Sequence, residues 1–158
     1  MIEIPFDPNI FNSGSFTLSW HGFMSFIAVG SAVYLVGRWA KKDGIDPDVV
    51  YNVAVFGIIG GILGARIVHV ADNWDFYSAN PGNIFQVWAG GIGLWGGILG
   101  GWIGGLGYSV INNRITSDPN MKVPIGRLMD LTAPAILIAQ AIGRVGDLIN
   151  GEHWSKAT

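Results

Sequence analysis

Cysteine is absent from the 158 residues. That excludes disulfides and thiolate metal sites, and any nucleophilic sulfur in the protein's chemistry has to come from another molecule. Charge is scarce too. Only 13% of the residues are Asp, Glu, Lys or Arg while 50% are hydrophobic, against about 25% charged residues in an ordinary soluble domain. This balance predicts an integral membrane protein. The formal charge of −2 excludes a basic nucleic-acid binder, and no metal or cofactor is expected. The first 16 residues carry Glu3 and Asp7 but no Lys or Arg. A secretory signal opens on basic residues, so the first apolar run is read as a retained membrane helix.

A helix needs about 20 mostly apolar residues to cross a bilayer, so the few charges mark where spans end. No charge occurs between Asp7 and Arg38, which predicts a first span near residues 17–37. Residues 49–71 hold one charge, Arg66, and form a second; residues 91–111 form a third. The stretch FYSANPGNIFQVW, residues 76–88, has Pro81 among glycine and aromatic residues and reads as an interfacial loop or short helix. Only thirteen uncharged residues, Leu131 to Gly143, support a fourth span. That run crosses the membrane if its charged ends snorkel, and is otherwise re-entrant. The fold class is therefore all-α, a polytopic helical membrane bundle with about four transmembrane helices in one domain over residues 1–158.

Orientation follows from the loop cations. Arg38, Lys41, Lys42, Arg114, Lys122 and Arg127 are six of the nine Lys and Arg residues, whereas residues 72–90 have none. The positive-inside rule puts the N-terminus outside, residues 38–48 and 112–127 in the cytoplasm, and residues 72–90 and 144–154 on the outer side. Glycines form rows: Gly93, Gly97, Gly101 and Gly105, with Gly96, Gly100 and Gly104 beside them, and Gly57, Gly61 and Gly60, Gly64 in the second span. Such rows let helix backbones approach closely in lipid.

Two arginines need a reason. Arg66 lies roughly 7 Å below the outer end of its span at the helical rise, where a cation costs a few kcal/mol unless it snorkels, pairs or meets an anion. His69 and Asp72 follow at one-turn steps. Asp72 or Asp75 can serve as its partner, or Arg66 can bind a lipid phosphate. Arg144 opens a polar cluster, AIGRVGDLINGEHW, with Asp147, Asn150, Glu152 and His153 at residues 141–154. Arg144 and Asp147 are three apart and can pair. With Arg66 at similar depth, a single phosphate facing both arginines is the functional alternative.

The run GRVGDLINGEHW resembles the signature of the bacterial prolipoprotein diacylglyceryl transferases, with Gly143, Arg144, Gly146, Asn150 and Glu152 at the family's spacing. Asp147 stands where Asn is usual, Leu148 where Phe is, and Ser155 where Gly is. SWHGFM at 19–24, GGILGAR at 60–66, GGIGLWGGILGG at 90–101 and DLTAP at 130–134 are similar to further elements of that family, in the same order.

The resemblance implies a transferase in the bacterial cytoplasmic (inner) membrane, its site toward the outer face. Its partners are phosphatidylglycerol, the lipobox signal peptide of a preprolipoprotein, and the surrounding membrane lipids. Diacylglycerol would pass to the lipobox cysteine thiol and glycerol phosphate would leave. Arg144 and Arg66 are the candidates for the phosphate, and Asp147, Asn150 and Glu152 for the substrate groups around it. Two histidines are candidates for the proton: His21, where Tyr is usual, and His69, where Tyr often follows the Gly-Ala-Arg element. Trp95 occupies a position where many relatives have histidine. The resemblance also implies further spans beyond Thr158, so the domain is expected to continue. The rival readings are a catalytically inactive membrane relative or scaffold, and a small transporter or channel subunit with an anion path.

Overall fold

A computed structural model describes residues 9–13, 16–86, 90–91 and 93–150. In chain order the elements are β1 (Asn9–Ser13), β2 (Phe16–Ser19), α1 (Trp20–Lys42), α2 (Pro47–Asp72), α3 (Trp74–Ala79), a 3₁₀ turn (Pro81–Phe85), α4 (Leu94–Ile115), a second 3₁₀ turn (Pro119–Met121) and α5 (Ile125–Asn150). The residues form two compact units, Asp43–Ile125 and the pair of segments Met1–Lys42 with Gly126–Thr158. Among the described residues, four helices are long and apolar enough to cross a membrane. Large apolar side chains such as Phe26, Ile67, Ile103 and Leu137 are exposed, as they are where the surrounding solvent is lipid. The chain is a membrane protein with an all-α body.

In the unit of residues 43–125, Asp46 caps α2 by accepting the Asp48 N–H at 3.0 Å, and Pro47 occupies the first turn, where its missing N–H costs nothing. The glycine rows of α2 and α4 then interlock antiparallel. A methyl added at Gly64 would lie 2.8 Å from Gly100 Cα, and one at Gly60, Gly96, Gly100 or Gly104 would run into a facing carbonyl oxygen. Only hydrogen fits at these positions, which brings backbone to backbone. Phe56 and Tyr108 stack beside the seam, centroids 4.6 Å apart and planes 13° from parallel. Past the end of α4, the Asn113 side chain donates to Val123 O at 2.9 Å and accepts from Val123 N at 2.6 Å, closing the turn toward α5.

The other unit opens on a hairpin absent from the sequence-based expectation. Strands β1 and β2 pair antiparallel, Phe11 opposite Leu18 and Ser13 opposite Phe16, with an irregularity between Asn9 and Phe11. The hairpin leads directly into α1, whose last turn carries Lys41 and Lys42, the end that the helix dipole favours for cations. Helix α5 resolves the question left by the short uncharged run. It extends over 26 residues, about 39 Å at the helical rise, because it continues past the charges that bound the run, Asp130 and Arg127 at one end and Arg144 and Asp147 at the other. Pro134 lies inside it without ending it. The other spans are also displaced from their expected limits, most of all the first, which runs from Trp20 to Lys42 instead of over residues 17–37. In the connection between α2 and α4, the segment expected to be an interfacial loop or short helix is the short helix α3 followed by the Pro81–Phe85 turn. Residues 87–89 of that stretch lie outside the described residues.

Candidate active site

The two arginines are in opposite states. Arg66, in the second turn from the end of α2, is buried, only 6% exposed. Its Nε donates to Ile84 O at 2.9 Å, Nη1 to Gly90 O at 2.8 Å and Gly91 O at 3.0 Å, and Nη2 to Asn83 O. Four of the five N–H groups of a guanidinium are thus directed at carbonyls of the connection between α2 and α4, in place of the expected Asp72 or Asp75. The guanidinium also lies over the Tyr77 ring, 5.2 Å from its centroid. Gly90 and Gly91 have φ of 86° and 76°, a left-handed conformation that L side chains rarely adopt. It lets both carbonyls meet one nitrogen. His69 fills the place where a Cβ on Gly91 would sit, and its ring meets Tyr77 edge-on at 5.9 Å. Arg66 therefore ties this connection to the helix, with one N–H left over.

Arg144, near the C-terminal end of α5, has a side chain 70% exposed. Among the described residues it makes one hydrogen bond, Nη1 to Asp147 Oδ2 at 3.2 Å, the anticipated i,i+3 pair. Four N–H groups remain on an open, planar fork. The other oxygen of Asp147 has a partner that sequence reasoning missed. Asp147 Oδ1 is 2.7 Å from His21 Nδ1, across 126 residues of chain. Gly146 makes this possible. A Cβ there would lie 2.9 Å from Met24 Cβ and 3.1 Å from His21 Cα, so α1 and α5 come together at the start of one and the end of the other. The one signal available beforehand was that His21 and Asp147 both depart from the family pattern, which shows only when the two departures are read together.

The expected site residues therefore divide. Arg144, Asp147 and His21 form one contiguous cluster; Arg66 and His69 belong to the other unit and adjoin the connection of residues 83–91. Glu152 and the Asn150 side chain lie outside the described residues. Among the described residues no group of three His, Asp or Glu side chains gathers as metal ligands do.

These features define a polytopic membrane protein with an arginine, a carboxylate and an imidazole joined at one end of a helix pair. The family model of the prolipoprotein diacylglyceryl transferases matches residues 8–158, and the chain belongs to that family. It is 35% identical over 155 residues to the phosphatidylglycerol–prolipoprotein diacylglyceryl transferase of Listeria innocua, covering 98% of this chain and 53% of the relative. It is 38% identical over 152 residues to the protein of the same name in Dehalococcoides mccartyi, covering 96% and 54%. The one from Trichormus variabilis is 32% identical over 151 residues, covering 96% and 50%. The chain spans about half the length of the curated relatives it matches.

Proposed function

We propose that the protein transfers the diacylglyceryl group of phosphatidylglycerol to the lipobox cysteine thiol of a preprolipoprotein, at the outer face of the bacterial cytoplasmic membrane. The observation that carries this reading is the state of Arg144. It holds the arginine position of the family signature, is anchored among the described residues through a single N–H, and is 70% exposed. The sulfur attacks the glyceryl carbon next to phosphate; the carbon–oxygen bond breaks and glycerol phosphate leaves with an added negative charge. A fixed planar donor set at that phosphate stabilises the leaving group more than the starting diester. Asn150 and Glu152, further along the signature, act on the orientation of Arg144 or on the glycerol hydroxyls. The anion-path alternative relies on glycine rows that slide; those of α2 and α4 are interlocked backbone to backbone.

The test is transfer from labelled phosphatidylglycerol to a lipobox peptide, in membranes carrying the protein or its Arg144→Ala and Arg144→Lys variants at equal levels. Both variants should lose about 100- to 1000-fold in turnover, the effect of removing a preorganised donor from a developing anion. Lysine keeps the charge but loses the fork. Near-normal turnover by Arg144→Lys would reduce the residue to a point charge, and near-normal turnover by Arg144→Ala would remove it from the site.

A further inference from the structure

The cluster at the start of α1 and the end of α5 holds one more group with the chemistry of a catalyst. A carboxylate only accepts hydrogen bonds. The 2.7 Å contact to Asp147 Oδ1 therefore places a proton on His21 Nδ1 and leaves the lone pair on Nε2. Among the described residues Nε2 has no hydrogen-bond partner, and the His21 side chain is about half exposed, 47%, against 15% for Asp147. The carboxylate is thus the less exposed member of the pair and the imidazole the more accessible one. Asp147 is also divided between two partners, His21 on Oδ1 and Arg144 on Oδ2. It sets an accessible base and an accessible cation on either side of itself. No other charged group is paired with His21 among the described residues, and its neighbours on α1, Trp20, Gly22, Phe23 and Met24, carry no charge.

Resting on the transfer reading above, we infer that His21 is the proton acceptor for the attacking thiol and that Asp147 is its positioning residue. His21 Nε2 takes the proton from sulfur as the sulfur–carbon bond forms. The carbon–oxygen bond to phosphate breaks, and its electron pair leaves with glycerol phosphate beside Arg144. The imidazolium, stabilised by Asp147, then returns its proton to water. His69 is less suited to the task, because its ring is packed between Tyr77 and the Gly91 backbone.

The test uses the thiol's own ionisation. A free cysteine thiol, with a pKa near 8.5, is about 3% thiolate at about pH 7 and about 90% at about pH 9.5, so a base is needed at the lower pH and largely redundant at the higher. In membranes carrying the protein, His21→Gln and His21→Tyr should reduce transfer to a lipobox peptide about 100-fold at the lower pH. At the higher pH the deficit should shrink to less than about tenfold. Arg144→Ala, which does not act on the proton, should show the same deficit at both. Tyrosine, the residue usual at this position in the family, keeps a hydrogen-bond donor toward Asp147 and guards against a variant that merely fails to insert. A loss that does not change with pH, or a His21→Tyr protein within about threefold of the unsubstituted one at the lower pH, overturns the role of His21 and leaves the activity standing. No transfer by the unsubstituted protein at either pH overturns the activity and this role with it.

Discussion

Arg66 illustrates how far a single residue can be understood from its type and place. A cation inside an apolar span demands compensation, and that demand is visible in the sequence. Its answer is not, because backbone carbonyls at Asn83, Ile84, Gly90 and Gly91 carry no residue signature. Replacing Arg66 with Met keeps an unbranched apolar stem and removes every donor. These bonds are part-buried, and each bond lost from a charged donor costs about 1.5–3 kcal/mol at most. The Arg66→Met protein should therefore melt at a lower temperature in detergent, and the chain between α3 and α4 should be cut by protease where the parent is protected. Unchanged melting and unchanged protection would show that the four bonds do not hold that connection. Arg144 and Asp147 were legible as a pair from their spacing alone. The His21–Asp147 contact was not, since it depends on Gly146 admitting α1 to within van der Waals reach.

At the level of elements, the apolar runs located α1, α2 and α4 to within a few residues, and the glycine rows pointed to close helix packing, which the structure shows between α2 and α4. What they misjudged was where helices end. A charge ends the apolar stretch but not the helix, and both arginine and aspartate are accommodated in terminal turns where their long or hydrated ends reach polar surroundings. This is why thirteen uncharged residues became the core of the 26-residue α5. The β1–β2 hairpin escaped notice because strands of five and four residues are too short for a periodic pattern to stand out. The segment after α2 was expected to be a loop or short helix from Pro81 and its aromatic neighbours, and it holds the short helix α3; what the sequence did not reveal is that it brings carbonyls to Arg66.

For the whole molecule, the proposed reaction requires that the Arg144 cluster face the outer side of the membrane. Loop cations support that orientation: Lys41 and Lys42 close α1, while Asp72, Asn73 and Asp75 follow the far end of α2. The absence of cysteine allows a direct check. In intact cells an impermeant thiol reagent should label an Asn73→Cys protein and not a Lys41→Cys protein; the reverse pattern would turn the cluster to the cytoplasm. The central claim is the group transfer itself, and mass spectrometry of both products tests it most directly. Membranes carrying the protein, given phosphatidylglycerol and a lipobox peptide, should yield one thioether-linked diacylglyceryl group per modified peptide and an equal amount of glycerol phosphate. A peptide with serine in place of the lipobox cysteine should yield neither. Glycerol phosphate released without a modified peptide, or the same release with the serine peptide, would contradict the account by making water the acceptor.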